Sequence, residues 1–423
     1  MEKPLTGNIN GSGPLSLKEY RDKGGYDGVH RALREMSPSD ITGLIKSSNL
    51  LGRGGAGFPT GVKWSLMPVE KDKVKQNYLV CNADEMEPGT FKDRYLLEGN
   101  PHQLIAGMIV ASYAVQASRA FIFIRWAYTK AEKILSKAIT EAYEEGYLGK
   151  NILGTGFDLD LYIHTSAGRY ICGEETALLN SLEGKRAMPR TKPPFPAVSG
   201  LFGQPTVVNN VETLSWISHI AEKGADWFKG LSLTETGGTK LFGVSGRVKK
   251  PGLWELPLGI TIRELLDEYA GGMAEGYHFR GLLPGGASTD FLVEEHLDIK
   301  MDFSTVAAAG SRMGTGTMII LDDKTCPVAF VHNIEKFFAL ESCGWCTPCR
   351  EGLPWVEKML WSIEEGTGRM TYLDLLKSQA AYMGPGHTFC AHAPGAAEPL
   401  QSALKYFYDD FVKHINDKKC PWK

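Results

Sequence analysis

The sequence predicts an α/β protein that carries a small α+β module and ends in a helical domain. Between residues 66 and 235, β-prone runs alternate with helical segments, the pattern of a parallel sheet covered by helices on both faces. Residues 236–326 show a hairpin pattern and a single helix, and residues 327–423 show only helical spacing. The 423 residues leave room for a further segment, residues 1–65, in front of these three regions.

The segment over residues 1–65 combines an amino-terminal arm, helices and a glycine-rich loop. The opening MEKPLTGNINGSGPLS has no basic start followed by an apolar core, so it is not a secretory signal. We expect it to be a flexible arm. Helical spacing covers residues 16–50, with Ser37-Pro38-Ser39-Asp40 as a helix start. The stretch GRGGAGFPTG at 52–61 is predicted to be a loop.

The remaining elements follow from the periodicity of apolar residues. In the α/β region, strands are predicted at 78–81, 120–124 and 159–163, and helices at 104–115, 130–146 and 174–182. In the α+β module, strands are predicted at 241–245, 252–256, 279–283 and 317–321, with a helix at 262–269. In the last domain, helices are predicted at 328–340, 352–364, 372–381 and 398–415.

Composition excludes several classes of function. The chain has 46 Lys plus Arg and 49 Asp plus Glu, so its formal charge of −3 gives no reason to expect nucleic acid or an anionic membrane surface as a partner. The longest uncharged run, residues 100–118, contains several polar residues and is interpreted as a buried helix and not a membrane span. A cytoplasmic location is the default expectation.

The strongest chemical signal is the cysteine pattern. Cys343, Cys346 and Cys349 are spaced as C-x₂-C-x₂-C, and Cys390 follows at a distance. Three thiolates from one turn and a fourth from a remote segment can enclose a 4Fe–4S cluster. Three other interpretations stay open. They are tetrahedral zinc, with His387 or His392 able to substitute for a thiol, a thioredoxin-like redox pair, and buried structural thiols.

The glycine-rich loop suggests contact with a ligand but is not a standard dinucleotide fingerprint. Gly52-x-Gly54-x-x-Gly57 has the right letters, but it follows a predicted helix and not a strand. A standard Rossmann assignment for this loop is therefore rejected. Glycines still let backbone N–H groups approach a phosphate or a flat ring, and Arg53 and Lys63 supply positive charge nearby.

Two acidic loops follow predicted strands of the parallel sheet. They provide oxygen acceptors suited to ribityl or ribose hydroxyls: Asn82, Asp84, Glu85 and Glu87 in the first, Glu174 and Glu175 beside Gly173 in the second. Because ligands of such sheets bind beyond the carboxyl ends of the strands, we expect these loops to converge with the glycine-rich loop at one edge. The rigid stretch 190–196 offers Lys192 and Phe195 as a cation and a stacking ring.

These segments together resemble one family, the NADH-oxidising, FMN-binding flavoprotein subunits (F type) of bacterial NADH:quinone oxidoreductase, respiratory complex I. The resemblance spans most of the chain. It is carried by GRGGAGFPTGVKW (52–64), NADEMEPGTFKDR (82–94), ICGEETALLNSLEG (171–184), KPPFP (192–196), VNNVET (208–213), SCGWCTPCREG (342–352) and FCAHAPGA (389–396).

The resemblance implies an NADH dehydrogenase subunit with FMN, NAD(H) and one 4Fe–4S cluster. Because hydride transfer from NADH needs no side-chain acid or base, no catalytic general base is assigned. The resemblance also implies a Rossmann-like FMN and NADH domain, a β-grasp (ubiquitin-like) module and a helical bundle that carries the cluster. The residues expected to hold FMN are Gly54, Gly55, Gly57, Lys63, Asn82, Asp84, Glu85, Gly173, Glu174, Asn209 and Asn210. Those expected to contact NADH are Phe58, Glu87, Glu175, Lys192 and Phe195. The expected cluster ligands are Cys343, Cys346, Cys349 and Cys390.

The resemblance further implies partners: a thioredoxin-like 2Fe–2S subunit and the large iron–sulfur subunit of the same complex. The chain would then lie in the cytoplasm, peripheral to the inner membrane through the complex, with no membrane insertion of its own. Two alternatives remain at this point. One is a diaphorase subunit of an NAD-linked hydrogenase or formate dehydrogenase, and the other is a non-catalytic subunit with a structural Cys₄ metal site.

Overall fold

The structure, a computed structural model, describes residues 2–9, 11, 13–68 and 76–423. Four short helices come first: α1 (Leu17–Asp22), α2 (Asp27–Glu35), α3 (Pro38–Ser47) and α4 (Thr60–Ser65). As predicted, the sequence Ser37-Pro38-Ser39-Asp40 starts a helix. The Ser37 side chain accepts a hydrogen bond from the Asp40 amide, and the Asp40 carboxylate accepts one from the Ser37 amide.

The amino-terminal arm differs from the prediction of a flexible segment. Leu5 is fully buried, and the backbone amides of Leu5 and Thr6 donate to the Glu255 carboxylate at 3.1 and 2.8 Å. The arm is therefore tied to a distant strand, because a buried carboxylate satisfies amides that the arm could not satisfy within itself. Met1, Asn10 and Ser12 lie outside the described residues.

A parallel sheet forms the centre of the α/β region, as predicted, but it has a fourth strand, Thr206–Asn210, that was not predicted. Its strands are β1 (Asn77–Ala83), β2 (Ala117–Ile124), β3 (Asp160–Thr165) and β4 (Thr206–Asn210), in the order β3-β2-β1-β4. The accompanying helices are α5 (Lys92–Gly99), α6 (Pro101–Ala114), α7 (Thr129–Glu144), α8 (Glu175–Leu182), α9 (Val211–Lys223) and α10 (Ala225–Gly230). Six of the seven residues of β1 are buried, which fits a strand covered on both faces.

Helix α6 is the buried helix predicted from the long uncharged run. All of its residues except Tyr113 are buried. It packs so closely on α9 that a Cβ at Gly107 would lie 1.9 Å from the carbonyl oxygen of Leu214, so only glycine fits there. Among the described residues, every helix is too short or too polar to cross a bilayer.

The second sheet is mixed and belongs to the α+β module. Its strands are β5 (Thr239–Ser245), β6 (Gly252–Pro257), β7 (Phe279–Leu283) and β8 (Thr317–Asp322), in the order β6-β5-β8-β7. The central pair β5 and β8 is parallel, and both outer pairs are antiparallel. The predicted helix over 262–269 is present as α11 (Ile262–Glu264) and a π-helical turn, Leu265–Tyr269. Helix α12 (Phe303–Ala308) precedes β8.

The carboxyl-terminal region is a bundle of helices, as predicted. They are α13 (Pro327–Glu341), α14 (Thr347–Glu364), α15 (Met370–Met383), α16 (His392–Tyr406) and α17 (Tyr408–Asp417). The prediction of one helix over 398–415 was wrong, because the helical conformation is interrupted at Phe407. That residue leaves the helical backbone and packs its ring edge-on against Phe291, with ring centroids 5.2 Å apart.

Candidate functional site

The carboxyl ends of β1 and β4 lie side by side and carry three asparagines. Asn82 pairs with Asn210 in the parallel register, and Asn209 pairs with Cys81. The Asn209 side-chain oxygen accepts a hydrogen bond from Trp64 Nε1 at 2.9 Å, which ties α4 to the sheet. Asn210 caps α9 by accepting from the Glu212 amide at 3.0 Å, as its position before a helix predicts.

The glycine-rich loop crosses this edge of the sheet. It links α3 to α4, which agrees with its rejection as a strand-to-helix fingerprint, and its ends are closed by the Gly52 amide donating to the Phe58 carbonyl at 2.9 Å. A Cβ at Gly54 would lie 3.1 Å from Cβ of Asn210. Gly57 has φ +66°, and a Cβ there would lie 2.6 Å from the Phe303 ring. Glycine thus brings the loop backbone against the strand ends.

Two cations and two carboxylates form a network beside the glycine-rich loop. Lys63 Nζ lies 2.6 Å from the Glu175 carboxylate and 2.8 Å from the carbonyl oxygen of Val208. Lys192 Nζ lies 2.9 Å from Glu174 and 3.2 Å from Glu175. Burial raises the pKa of Glu175, but Lys63 and Lys192 outweigh it and hold that pKa below its ordinary value. Glu175 is therefore ionised at neutral pH.

The Asp84 carboxylate, directly after β1, has one oxygen without a hydrogen-bond partner among the described residues. One carboxylate oxygen accepts from Ser166 Oγ at 3.0 Å, and the other is buried with no hydrogen-bond partner in the described part of the chain. The nearby Arg125 Nε is likewise buried and unpaired there. Burial raises the pKa of Asp84 to about 6. A ligand rich in hydroxyl and phosphate groups would satisfy both atoms, so this edge fits the phosphorylated, polyhydroxylated chain of FMN.

Glu85 and Glu87 have other partners. The Glu85 carboxylate accepts from the amides of Asp93 and Arg94 at the start of α5 and from the Tyr128 hydroxyl, at 2.9 to 3.2 Å. Burial raises its pKa to about 7. Glu87 accepts from the Tyr170 hydroxyl at 2.5 Å and from the Ser288 amide at 2.7 Å. Both side chains fix the acidic loop to neighbouring elements.

Two phenylalanines close in sequence to Lys63 and Lys192 are exposed. Phe58 is 51% exposed and Phe195 is 56% exposed, which is high for large apolar rings. In front of Gly173 there is open space among the described residues, since none of their other atoms would lie within 4 Å of a Cβ at this position. The network, the open space and the exposed rings offer the polar and stacking groups that bind a nucleotide, and we call them together the recess.

The four predicted cysteine ligands line one cavity. The other lining residues are mainly apolar: Ile171, Pro189, Trp345, Thr388, Phe389, His392 and Ala393. Cys346 is the N-cap of α14, where the helix dipole favours a thiolate. Its sulfur accepts from the Phe389 amide at 3.4 Å, and Cys349 Sγ lies 3.1 Å from the Ser342 hydroxyl.

This cavity fits a Cys₄ cluster. Burial raises the pKa of Cys349 to about 11 and that of Cys390 to about 12, so cluster binding would release the protons of these thiols. Four sulfurs converge inside apolar walls, and an amide and a hydroxyl already point at two of them, as expected around an iron–sulfur cluster. His392 also lines this cavity; its Nε2 lies 2.9 Å from the carbonyl oxygen of Phe338, and its Nδ1 is buried with no hydrogen-bond partner among the described residues.

The sequence analysis missed the charged groups that hold the side chain of Asn210. Lys92 Nζ lies 3.2 Å from Asn210 Oδ1, and Asn210 Nδ2 donates to Asp93 at 2.6 Å. Lys92 also pairs with Glu212 at 3.0 Å, and all of these ionic side chains are buried. Lys92 and Asp93 lie within the motif at 82–94, but charged residues next to each other give no sequence signal of burial.

A polar recess at a parallel sheet edge and a cavity lined by four thiols define a flavin-binding iron–sulfur protein. Comparison with known families agrees. Residues 45–219 match the Nuo51 FMN-binding domain, residues 329–414 match the NADH-ubiquinone oxidoreductase-F iron–sulfur binding region, and residues 241–291 match the SLBB domain.

Curated relatives identify the family more narrowly. The F subunits of NADH-quinone oxidoreductase from Salmonella typhimurium and from Escherichia coli are each 55% identical over 97% of this chain and 93% of their own length. The second F subunit (F 2) of the Rhizobium meliloti enzyme is 50% identical over 100% of this chain and 99% of its own. The chain therefore belongs to the family of NADH-quinone oxidoreductase F subunits.

Among solved structures, a chain of an NAD⁺-reducing [NiFe]-hydrogenase in the air-oxidised state has a TM-score of 0.80 and 34% identity. The match covers 92% of this chain but only 65% of the hydrogenase chain. The H₂-reduced state gives a TM-score of 0.82 at 32% identity, with 99% of this chain covered. The common architecture confirms the predicted fold class, while the curated relatives favour the quinone-linked family over the hydrogenase alternative.

Proposed function

We propose that this chain takes electrons from NADH at the sheet edge and delivers them singly through the cysteine cavity. The observation that carries the proposal is the short turn Tyr170–Gly173. Ile171 lines the cavity, and Glu174, three residues later, binds Lys192 of the polar network. Three residues span at most about 11 Å. The two sites therefore share a wall, as an electron path between them requires.

The groups around the strand ends would hold FMN. We assign this role to the glycine-rich loop, Lys63, the Asp84 carboxylate, Gly173, Glu174 and the three asparagines. Bound FMN would supply the chemistry that neither NADH nor a cluster has alone, because it accepts two electrons as hydride and releases them one at a time. Glu85 would act as a positioning residue, since its carboxylate is committed to the start of α5.

The exposed side of the recess would receive NADH. Phe58 and Phe195 present open ring faces for stacking, and Lys192 and Glu175 offer a cation and an anion next to them. Glu87 would shape this side through Tyr170. Hydride transfer needs no proton from a side chain, so no general base is assigned. The protein would contribute by positioning the two rings and excluding water.

The cysteine cavity would pass electrons on to other subunits. The relatives are named as subunits of NADH-quinone oxidoreductase, so we propose that the same kind of complex surrounds this chain. Trp345 and Phe389 are exposed at the mouth of the cavity, with ring centroids 5.1 Å apart. We propose that the thioredoxin-like 2Fe–2S subunit and the large iron–sulfur subunit take the electrons and attach the chain to the cytoplasmic side of the membrane.

The test compares Cys346→Ser with Cys172→Ser in the complex. Cys172 is buried in the turn Tyr170–Gly173 but does not line the cavity. The Cys172→Ser variant therefore serves as the matched control. We expect Cys346→Ser to keep NADH-dependent bleaching of the flavin. Its quinone reduction should fall by at least about 100-fold, because even the partners of metal ligands cost 10- to 100-fold when lost. The electron paramagnetic resonance signal of the reduced 4Fe–4S cluster should also disappear.

Two outcomes would contradict the proposal. One is full quinone reduction in Cys346→Ser. The other is loss of flavin bleaching in a Cys346→Ser protein whose circular dichroism is unchanged, since that would place the cluster before the flavin.

A further inference from the structure

Two cysteines outside the cavity lie together at the other end of the helical bundle. Cys326 is the N-cap of α13, and Cys420 lies in the tail that follows α17. Glu364, the last residue of α14, and His414 of α17 complete a group of four. We call these four side chains the tail cluster. Neither the matched families nor the assigned electron path gives them a role.

The potential ligand atoms of the tail cluster converge on one point. One sulfur, nitrogen or oxygen atom from each side chain lies within 4.8 Å of all the others. Cys326 Sγ is 3.2 Å from His414 Nε2 and 3.3 Å from Glu364 Oε2, and His414 Nε2 is 3.2 Å from Glu364 Oε2. In a tetrahedral zinc site with metal–ligand distances of 2.0–2.3 Å, the ligand atoms are about 3.3–3.8 Å from one another. The distances between the tail-cluster atoms are close to these values.

The histidine is oriented as a metal ligand would be. Its Nδ1 lies 2.6 Å from the Asp410 carbonyl oxygen, a group that can only accept. Nδ1 therefore carries the proton, and the lone pair of Nε2 points into the tail cluster. Zinc-bound histidines usually donate their other ring N–H to a carbonyl or carboxylate oxygen in this way. Trp422 stacks on the ring, with centroids 5.7 Å apart and an interplanar angle of 16°.

Burial and charge also suit a divalent cation. All four side chains are buried, and Glu364 Oε1 has no hydrogen-bond partner in the described residues, although Lys423 Nζ is 3.2 Å away. Two thiolates and one carboxylate around Zn²⁺ sum to one negative charge, and the Lys423 ammonium balances it. The Ala329 amide already donates to Cys326 Sγ at 3.3 Å, which favours a thiolate.

We propose that Cys326, Glu364, His414 and Cys420 bind one structural Zn²⁺. Binding would release the two thiol protons to solvent and involve no change of oxidation state. The mixed nitrogen, sulfur and oxygen set suits zinc better than Mg²⁺ or Ca²⁺, and it leaves no open position for catalysis. The ion would join the start of α13, the end of α14, α17 and the tail.

The tail cluster is separate from the electron path. Cys326 precedes α13 and Cys343 follows its end, and a helix of 15 residues is about 22 Å long. The two cysteine groups therefore occupy opposite ends of one helix. A metal in the tail cluster would stabilise the bundle and leave the reaction with NADH unchanged.

The test is elemental analysis and zinc X-ray absorption of the cluster-loaded full chain, produced with zinc in the medium. We expect about one zinc per chain, with two sulfur ligands near 2.3 Å and two lighter ligands near 2.0 Å. Cys420→Ser should lose most of the zinc and bind it at least about tenfold more weakly, whereas Cys81→Ser, which removes an unrelated buried thiol, should keep it. Flavin bleaching by NADH should be the same in all three proteins.

Three results would overturn the proposal. They are wild-type protein that takes up no zinc even when titrated with the metal, a four-sulfur spectrum, which would place the zinc in the cavity of Cys343, and a disulfide between Cys326 and Cys420 in freshly isolated protein. The wild-type spectrum decides the question even if Cys420→Ser fails to fold.

Discussion

The two candidate cofactor sites are built in opposite ways. The recess at the sheet edge gathers polar groups from five separate segments and holds them with ion pairs, such as Lys63 with Glu175 at 2.6 Å. The cysteine cavity takes three of its four thiols from one seven-residue segment and encloses them with apolar side chains. The recess therefore depends on buried charges being paired, and the cavity depends on the packing of helices.

The same contrast extends beneath each site. Under the recess, Glu212 lies 3.0 Å from Lys92 and 3.1 Å from Lys240, and all three are buried. Burial raises the pKa of Glu212, but Lys240, Lys92 and Arg53 outweigh it and lower that pKa to about 2. In the bundle, Glu335 of α13 is fully buried, and neither carboxylate oxygen has a partner among the described residues. Burial alone raises the pKa of Glu335 well above its ordinary value.

The largest expected effect is at the paired charges. Glu212→Gln leaves Lys92 and Lys240 buried without their common partner, so we expect the free energy of unfolding to fall by about 3–5 kcal/mol at pH 7. Urea unfolding followed by circular dichroism measures it. Glu222→Gln, on the same helix but only partly buried, is the control and should change stability by less than about 0.5 kcal/mol. Equal effects of the two variants would contradict the account of the buried network.

In the helical bundle, replacing the buried Glu335 should raise the free energy of unfolding instead of lowering it. Glu335 stays protonated in the folded chain, whereas in the unfolded chain it ionises above its ordinary pKa of 4.5. Between those two pKa values the unfolded state holds fewer protons, so stability falls as the pH rises. Glu335→Gln removes this loss and should stabilise the protein by about 1–3 kcal/mol at pH 8, with little gain at pH 4.

Urea unfolding of wild type and Glu335→Gln at several pH values tests this prediction. A difference between them that does not change with pH would show that Glu335 is ionised in the folded protein.

The smallest effect expected is on nucleotide selectivity. The carboxylate of Glu175 is ionised beside Lys63 and Lys192, and it would repel the additional phosphate of NADPH if the ribose lies against it. Glu175→Gln should therefore raise kcat/KM for NADPH relative to NADH by about tenfold, which corresponds to about 1.4 kcal/mol. Steady-state kinetics with both nucleotides measures the ratio. An unchanged ratio would remove Glu175 from the ribose pocket.

The sequence predicted the elements that depend on local patterns. All strands except β4, the helix start at Ser37 and the cap at Asn210 follow from periodicity and capping, and the structure confirms them. Strand β4 was not predicted. The cysteine ligands were also accessible, because three of them occur at fixed spacing within seven residues. The residues assigned to FMN and NADH stay predictions, for which the structure supplies contacts and burial.

What the sequence could not show depends on contacts between distant segments. The arm residue Leu5 is anchored by Glu255, 250 residues away, and no local pattern marks that pairing. Glu85 and Glu87 match the motif of ligand-binding residues in the sequence. Their hydrogen-bond partners at the start of α5 and at Ser288 are apparent only in the folded chain. The tail cluster joins residues as far apart as 326 and 420, so its spacing resembles no metal motif.

The most direct test of the account is rapid mixing of NADH with the folded chain loaded with FMN and its 4Fe–4S cluster, followed by absorbance and freeze-quench electron paramagnetic resonance. The account predicts that the flavin band bleaches first and that the signal of the reduced cluster rises afterwards. A cluster signal that rises before the flavin bleaches, or a flavin that stays oxidised while the protein remains folded and loaded, would contradict it.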